Sequence, residues 1–331
     1  MSVVYVSEGG ASIGYEAGRL ELRPIDGNVR SIPIETVEGI TLLNGAHLTV
    51  KATTECLTRG IPVSYYSKGG KYFGRLMSTG HINAARQRKQ ASLYHSKFAM
   101  ELSREIVIGK LHNQSTVLYR YGTSSKTDVT KYRNMLMIMQ KKVLECDEQT
   151  KIMGYEGLGA RAYFSGLNCC IDKDFHFTGR SKRPPKDKFN SLISLGYSIL
   201  MNEIYCKIES KGLNPYMGFI HQDAEQHPTL ASDLMEEWRA VIVDSVAMSI
   251  INDHEIHIND FEEGEDGGIY LTGNGLKLFL NKMEKKMETR NTYLEDRLNH
   301  TFRGAMDIHL NKLVQAIENT DATIYTSLKI K

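Results

Sequence analysis

Apolar positions at the start of the chain fall in short runs, at 3–6, 19–23, 29–34, 39–43, 61–66 and 72–77, each rich in β-branched or aromatic side chains. Single glycines, an Asp-Gly-Asn and a Gly-Gly pair punctuate them. This pattern predicts a small antiparallel β domain with hairpins, holding one short helix at 49–59. After Ser78-Thr79-Gly80-His81 the texture changes. From about Ala84 the apolar residues recur with helical spacing, which predicts helices over 84–121, 128–148, 154–170, 186–211, 229–253, 272–290 and 293–318. Pro184-Pro185 and Asn214-Pro215 fall between these segments, where proline belongs. The acidic, glycine-bearing stretch 260–268 reads as a loop. The ending from Asn319 offers no obvious packing face and is expected to fray. The expected fold class is α+β, with a β-rich domain at 1–78, a linker at 79–84, a larger all-α domain at 85–318 and a flexible tail at 319–331.

Composition narrows the class without naming an activity. The 331 residues carry 41 Lys and Arg against 39 Asp and Glu, so any nucleic-acid affinity must come from local clustering rather than a global field. The five cysteines, Cys56, Cys146, Cys169, Cys170 and Cys206, are scattered and form no CxxC pair, which argues against a disulfide framework or a zinc knuckle. The start lacks a basic segment followed by a long apolar one, so no signal peptide is expected. No run approaches the roughly 18 apolar residues of a membrane span. A soluble, intracellular protein is the expectation.

Three features in the helical half carry candidate chemistry. Met153-Gly154-Tyr155-Glu156-Gly157-Leu158-Gly159-Ala160 sets an acid among very small residues, where backbone or ligand can approach closely. Pro215-Tyr216-Met217-Gly218-Phe219-Ile220-His221 delivers a histidine at the end of an apolar run. Asp233-Leu234-Met235-Glu236-Glu237-Trp238-Arg239 reads as a helix start, with Asp233, Glu236 and Arg239 three apart on one side. Each has a bland reading alone: a solvent-facing acid, a core or turn histidine, acids complementing a helix dipole. Together, two carboxylates and one imidazole suit Mg²⁺ or Mn²⁺ with open positions for water and substrate. Cationic clusters at Arg86-Gln87-Arg88-Lys89 and Arg180-Ser181-Lys182-Arg183-Pro184-Pro185-Lys186 suit phosphate contact, though a solvated face or linker would look the same. On one continuous helix Arg86, Lys97 and Arg104 would fall within about 20° of each other, opposite Phe98, Leu102 and Ile106.

These motifs, in this order, resemble the universal CRISPR-associated integrase, the endonuclease that inserts foreign DNA into the repeat array, in the version found with type I systems. The matching stretches are Gly154-Tyr155-Glu156-Gly157, the Arg180/Arg183-Pro184-Pro185-Lys186-Asp187 segment with Asn190 and Leu195-Gly196-Tyr197, Gly212 through His221, and Asp233 through Arg239. The resemblance implies a metal triad of Glu156, His221 and Glu236, which are also the catalytic residues. It places Asp233 and Arg239 beside them, Tyr197 close to DNA, and Arg86, Arg88, Arg180, Arg183 and Asn190 among the DNA contacts. It implies strand transfer, in which a DNA 3′-hydroxyl attacks a phosphodiester with no covalent enzyme intermediate. The implied partners are double-stranded DNA with 3′ overhangs, the CRISPR repeat, a second copy bound through the β domain, and a small partner protein of the adaptation complex, in a prokaryotic cytoplasm. One departure stands out. After the histidine the family often shows Gly-Arg-Pro-Ser, whereas this chain reads Gln226-His227-Pro228-Thr229, which puts a phosphate contact by that loop in doubt.

Two other readings stay open at this level. The same site would serve a stand-alone nuclease acting on branched DNA, since only the attacking group differs, water in place of a 3′-hydroxyl. Alternatively, the chain is a non-catalytic DNA-binding assembly subunit whose acids merely cap helices.

Overall fold

A computed structural model describes every residue except Met1, Asp26, Asp223 and 293–298. The chain opens with β1 (Ser2–Val6), β2 (Ser12–Glu16), β3 (Arg19–Arg23), β4 (Arg30–Pro33), β5 (Val37–Leu42), β6 (His47–Leu48), α1 (Val50–Arg59), β7 (Val63–Tyr66) and β8 (Tyr72–Leu76). They form two four-stranded sheets, ordered β1-β5-β7-β8 and β4-β3-β2-β6. The β-rich start is as expected, but it is not purely antiparallel. β5 pairs in parallel with both β1 and β7. A parallel pair needs a crossover rather than a tight turn, and α1 lies within the one joining β5 to β7. Thr49 caps α1 by accepting a hydrogen bond from Ala52 N at 3.3 Å. Between the sheets Val6, Ile13, Leu20, Ile40, Leu42 and Val63 form a core that Ala52 and Cys56 of α1 complete.

The remainder is mostly helical: α2 (Ala84–Ser92), α3 (Lys97–Ser125), α4 (Thr130–Leu144), α5 (Gln149–Cys170), α6 (Lys188–Ser210), α7 (Thr229–Arg239), a π-helical turn (Ala240–Asp244), α8 (Ser245–Asn252), α9 (Gly273–Met287) and α10 (Phe302–Asn319). Two ribbons interrupt it, β9 (Phe261–Glu263) with β10 (Ile269–Leu271), and β11 (Arg290–Asn291) with β12 (His300–Thr301). The expected loop at 260–268 is therefore largely the turn and one strand of a hairpin. The helix expected over 293–318 begins at Phe302, and part of its expected start lies outside the described residues.

Two further expectations change. The single helix over 84–121 breaks at 93–96, where Ser96 caps the fresh start of α3 by accepting from Ala99 N at 3.4 Å. Arg86 consequently shares no continuous helix face with Lys97 and Arg104. The tail expected to fray is docked instead: Tyr325, Leu328 and Ile330 are buried. Its backbone finds partners inside the protein, with Ile330 N donating to Asn113 Oδ1 at 3.0 Å and Leu328 N to Glu237 Oε2 at 2.5 Å.

α3 is the central helix. Buried residues lie along most of its length, and it packs on α4, α5, α7 and the docked tail. Gly196 lets α6 approach the π turn, since a methyl there would overlap Val243. Among the described residues no helix is long and apolar enough to cross a membrane.

Candidate active site

The site is assembled on α7. Its first turn, starting at Thr229, contains no acid, so Asp233 and Glu236 are not the first-turn dipole partners that the sequence alone allowed. Asp233 lies one turn further in and is fully buried. Its Oδ2 accepts from Phe219 N at 2.6 Å and Ile220 N at 2.9 Å, and its Oδ1 from His221 N at 3.1 Å. One carboxylate thus holds the whole end of the 215–221 segment. Gly218 is required at this crossing, because a Cβ would stand 2.7 Å from Asp233 Oδ2. From the other side, Gln90 of α2 donates to the carbonyls of Asn214 and Met217 at 2.9 and 2.7 Å.

Asp233 also orients the imidazole. His221 Nδ1 donates to Asp233 Oδ1 at 2.6 Å, which leaves Nε2 as the lone-pair nitrogen of the neutral ring. This hydrogen bond raises the histidine's pKa, with burial pulling the other way. A carboxylate behind a histidine is the usual arrangement for fixing a metal-binding tautomer.

Glu236 sits three residues on and is 4% exposed. Its Oε1 pairs with Arg239 at 3.0 Å. Its Oε2 is buried without a hydrogen-bond partner and lies in ion-pair contact with the ammonium of Lys110 on α3. The same ammonium contacts Glu156 Oε1 from α5. Burial works against the charge on Glu236, but Arg239 and Lys110 outweigh it and hold its pKa well below the ordinary carboxylate range. Burial likewise opposes the charge on Lys110, and Glu236 and Glu156 more than restore it. Two carboxylates from different helices therefore share one buried cation, supplied by the protein.

In this arrangement, and among the described residues, no three His, Cys, Asp or Glu side chains converge closely enough to hold a metal ion. The donor chemistry nevertheless fits a hard divalent cation: two carboxylates, one of them with a buried oxygen whose partner is the Lys110 ammonium, and an oriented imidazole nitrogen. Lys110 is the residue that sequence reasoning missed. The signal was available, since Leu102, Ile106 and Lys110 recur at four-residue steps and place a lysine on the face that must be buried.

A second layer surrounds Arg239. The guanidinium carbons of Arg239 and Arg180 stand 5.1 and 5.3 Å from the centre of the Tyr197 ring. Tyr197 is itself largely buried, and its hydroxyl donates to Asp244 Oδ1 at 2.5 Å. The other oxygen of Asp244 accepts from Tyr163 at 3.0 Å. Burial pushes the Asp244 carboxyl up to about 6 despite these two hydroxyls. Asp244 and Tyr163 carried no signal in the sequence. Lys182 is near this group, and partial burial with the charges of Arg239 and Arg180 lowers its pKa.

The residues expected to contact DNA fare differently. Arg180 is at the site, donating to Asn190 Oδ1 at 2.7 Å and Ser194 Oγ at 3.1 Å. Asn190 is fully buried and also donates to the Gly179 carbonyl at 2.7 Å. It orders the 179–190 loop and has no exposed atom to offer a phosphate, which corrects its expected role. Arg86 is apart from the site, tying α2 to Glu318 of α10 at 2.7 Å and to the Lys211 carbonyl. Arg88 and Arg183 are exposed. The loop with the atypical Gln226-His227-Pro228-Thr229 brings a second imidazole, His227, to 6.2 Å from that of His221, centre to centre.

A family model described as CRISPR associated protein Cas1 matches residues 4–285. A CRISPR-associated endonuclease Cas1 from Mycobacterium tuberculosis (strain H37Rv) is 34% identical over 321 residues, covering 96% of this chain and 94% of the relative. Among solved structures, a chain of a Cas6-RT-Cas1–Cas2 complex superposes with a TM-score of 0.85 at 26% identity, covering all of this chain and 36% of that longer one. A casposase bound to integration product shares the fold, with a TM-score of 0.85 at 19% identity over 98% of this chain and 93% of the casposase.

Proposed function

The chain belongs to the Cas1 family of CRISPR-associated proteins, and from that footing we propose that it is a divalent-metal-dependent DNA integrase and endonuclease, acting through Glu156, His221 and Glu236. The observation that carries this reading is the pair of carboxylates, from α5 and α7, gathered round one buried cation beside an imidazole whose orientation Asp233 fixes. Glu156, His221 and Glu236 would hold Mg²⁺ or Mn²⁺. When bound, such an ion polarises a phosphodiester and lowers the pKa of a bound hydroxyl.

The chain's own residues supply the remainder. Asp233 keeps Nε2 of His221 available and the 219–221 backbone in place. Arg239 and Arg180 present guanidinium groups over Tyr197, where forked donors can receive phosphate oxygens. Lys182 and Arg183 extend this positive edge. Tyr197 is not arranged as a covalent nucleophile, since its hydroxyl is committed to Asp244. The substrate is double-stranded DNA with 3′ overhangs, inserted at a CRISPR repeat. The protein works as a homodimer through the β-rich region at 1–78, with a small partner protein of the adaptation complex. The likeness to a chain of a Cas6-RT-Cas1–Cas2 complex supports such a partner.

The test is a strand-transfer assay with a labelled 3′-overhang duplex and a repeat-bearing target, in Mn²⁺, in Mg²⁺ and in EDTA. Glu156→Gln, His221→Ala and Glu236→Gln are expected to abolish joined products while DNA affinity stays within a few-fold. Full activity in any of these variants, or in EDTA, would sink the metal-site reading. Linear fragments without joined strands would select the hydrolytic nuclease instead, and DNA binding without either product the assembly subunit.

A further inference from the structure

Asp244 is a fully buried carboxylate that forms no ion pair among the described residues. Both of its oxygens are taken by phenol hydroxyls, Tyr197 from α6 and Tyr163 from α5. Its placement depends on the π turn. In a continuous α-helix a residue five places beyond Arg239 would point about 140° away from it. The i to i+5 geometry of Ala240–Asp244 instead brings residue 244 round towards the side of residue 239. Arg239 and Asp244 consequently meet the same tyrosine, the first over its ring and the second at its hydroxyl. Such turns recur at functional positions in helices.

Arg239 needs this support. Its Nε is buried without a hydrogen-bond partner, so its head is fixed by Glu236 and by the Tyr197 ring. We propose that Asp244 is a positioning residue of the reaction: by accepting the Tyr197 hydroxyl it fixes the ring on which the Arg239 guanidinium rests, and thereby holds Glu236 and the phosphate-facing cations in register. The proposal rests on the reading of Glu236 as a site carboxylate. Tyr163 shares the carboxylate without touching Arg239, and serves as the internal control.

The experiment compares Asp244→Asn, Tyr197→Phe, Tyr163→Phe and the Asp244→Asn/Tyr197→Phe double variant in the full chain. Thermal stability, DNA affinity and the strand-transfer rate at saturating DNA are measured for each. Asp244→Asn and Tyr197→Phe are each expected to lower the rate about tenfold, with the double variant within twofold of the slower single one. Tyr163→Phe is expected to keep the rate within twofold while losing stability. The Nε–Hε resonance of Arg239, assigned by its disappearance in Arg239→Lys, reads the same contact without turnover. It should shift and broaden in Asp244→Asn and Tyr197→Phe, but not in Tyr163→Phe. Multiplying rate losses in the double variant, a Tyr163→Phe loss equal to that of Tyr197→Phe, or an unchanged Arg239 resonance would overturn the proposal. A wild-type protein that joins no strands would overturn the functional reading instead, with the resonance still deciding this one.

Discussion

Replacing Lys110 with methionine tests the site at its centre. Methionine keeps the length and much of the bulk but removes the only cation touching both Glu156 and Glu236 among the described residues. Lys110 is 5% exposed at the side chain and Glu236 4%, so the charge left behind is buried. Breaking a buried ion pair from one side costs about 3–5 kcal/mol. For a chain of this size each kcal/mol moves Tm by roughly 2 °C, so metal-free Lys110→Met should melt about 6–10 °C below wild type. On the proposed reading a divalent ion must displace the ammonium in wild type, whereas in the variant it meets two uncompensated carboxylates. If the ion relieves half of the cost, about 1.5–2.5 kcal/mol, Mn²⁺ affinity rises about tenfold to seventyfold. Titration calorimetry with Mn²⁺ on DNA-free protein measures this directly, and thermal melts with and without Mn²⁺ give an independent reading. Wild type should gain little in Tm from Mn²⁺ and the variant should recover about half of its loss. Equal or weaker Mn²⁺ binding by Lys110→Met would refute the idea that the lysine holds the place of the metal.

Two further predictions concern the scaffold behind the site. His309 is buried beside Trp238 and Tyr325, and burial, with a lesser push from Lys312, lowers its pKa from 6.5 to about 4. Because its folded pKa is depressed, protonation favours the unfolded chain. Its contribution is complete above about pH 6.5 and is lost as pH falls towards about 4, roughly 3 kcal/mol in all. Denaturant titrations of His309→Gln across that window should show a shallower loss than wild type, and parallel curves would contradict the assignment. Removing residues 325–331 exposes the pockets of Tyr325, Leu328 and Ile330 and strips Glu237 and Asn113 of partners. At about 1.5–3 kcal/mol per buried side chain, the truncated protein should lose roughly 4.5–9 kcal/mol and unfold at markedly lower denaturant. An unchanged midpoint would mean that the docked tail contributes nothing.

What the sequence disclosed follows from periodicity and residue type. Strands β3 and β8 and helices α1, α6 and α9 lie within a few residues of the expected spans because alternation or helical spacing reports one buried face. The parallel pairing of β1, β5 and β7 was hidden, since a strand's pattern does not record its neighbour's direction. The break at 93–96 was hidden because apolar residues on both sides keep helical spacing across it. At the site, Glu156, His221 and Glu236 stood out through their small or apolar surroundings. Lys110 was legible only as a lysine on a buried helix face, and Gln90, Tyr163 and Asp244 not at all, because each is defined by a partner on a distant segment. Asn190 was misjudged for the same reason: in a cationic loop it looks available, while the fold has buried it.

The π turn makes one spacing in this protein a counted quantity. Substitutions at 240–243 change which apolar side chain fills a space, and a packed interior can absorb some of that. Straightening the turn into ordinary α-helix at the same length is a different kind of change, because it would swing everything beyond it by about 100°. Each functional side chain would still be present in order, and a comparison that scores residue types alone would pass the straightened chain as intact. In aligning distant members of the family, the interval from Glu236 to Asp244 therefore carries information that the letters at its two ends do not.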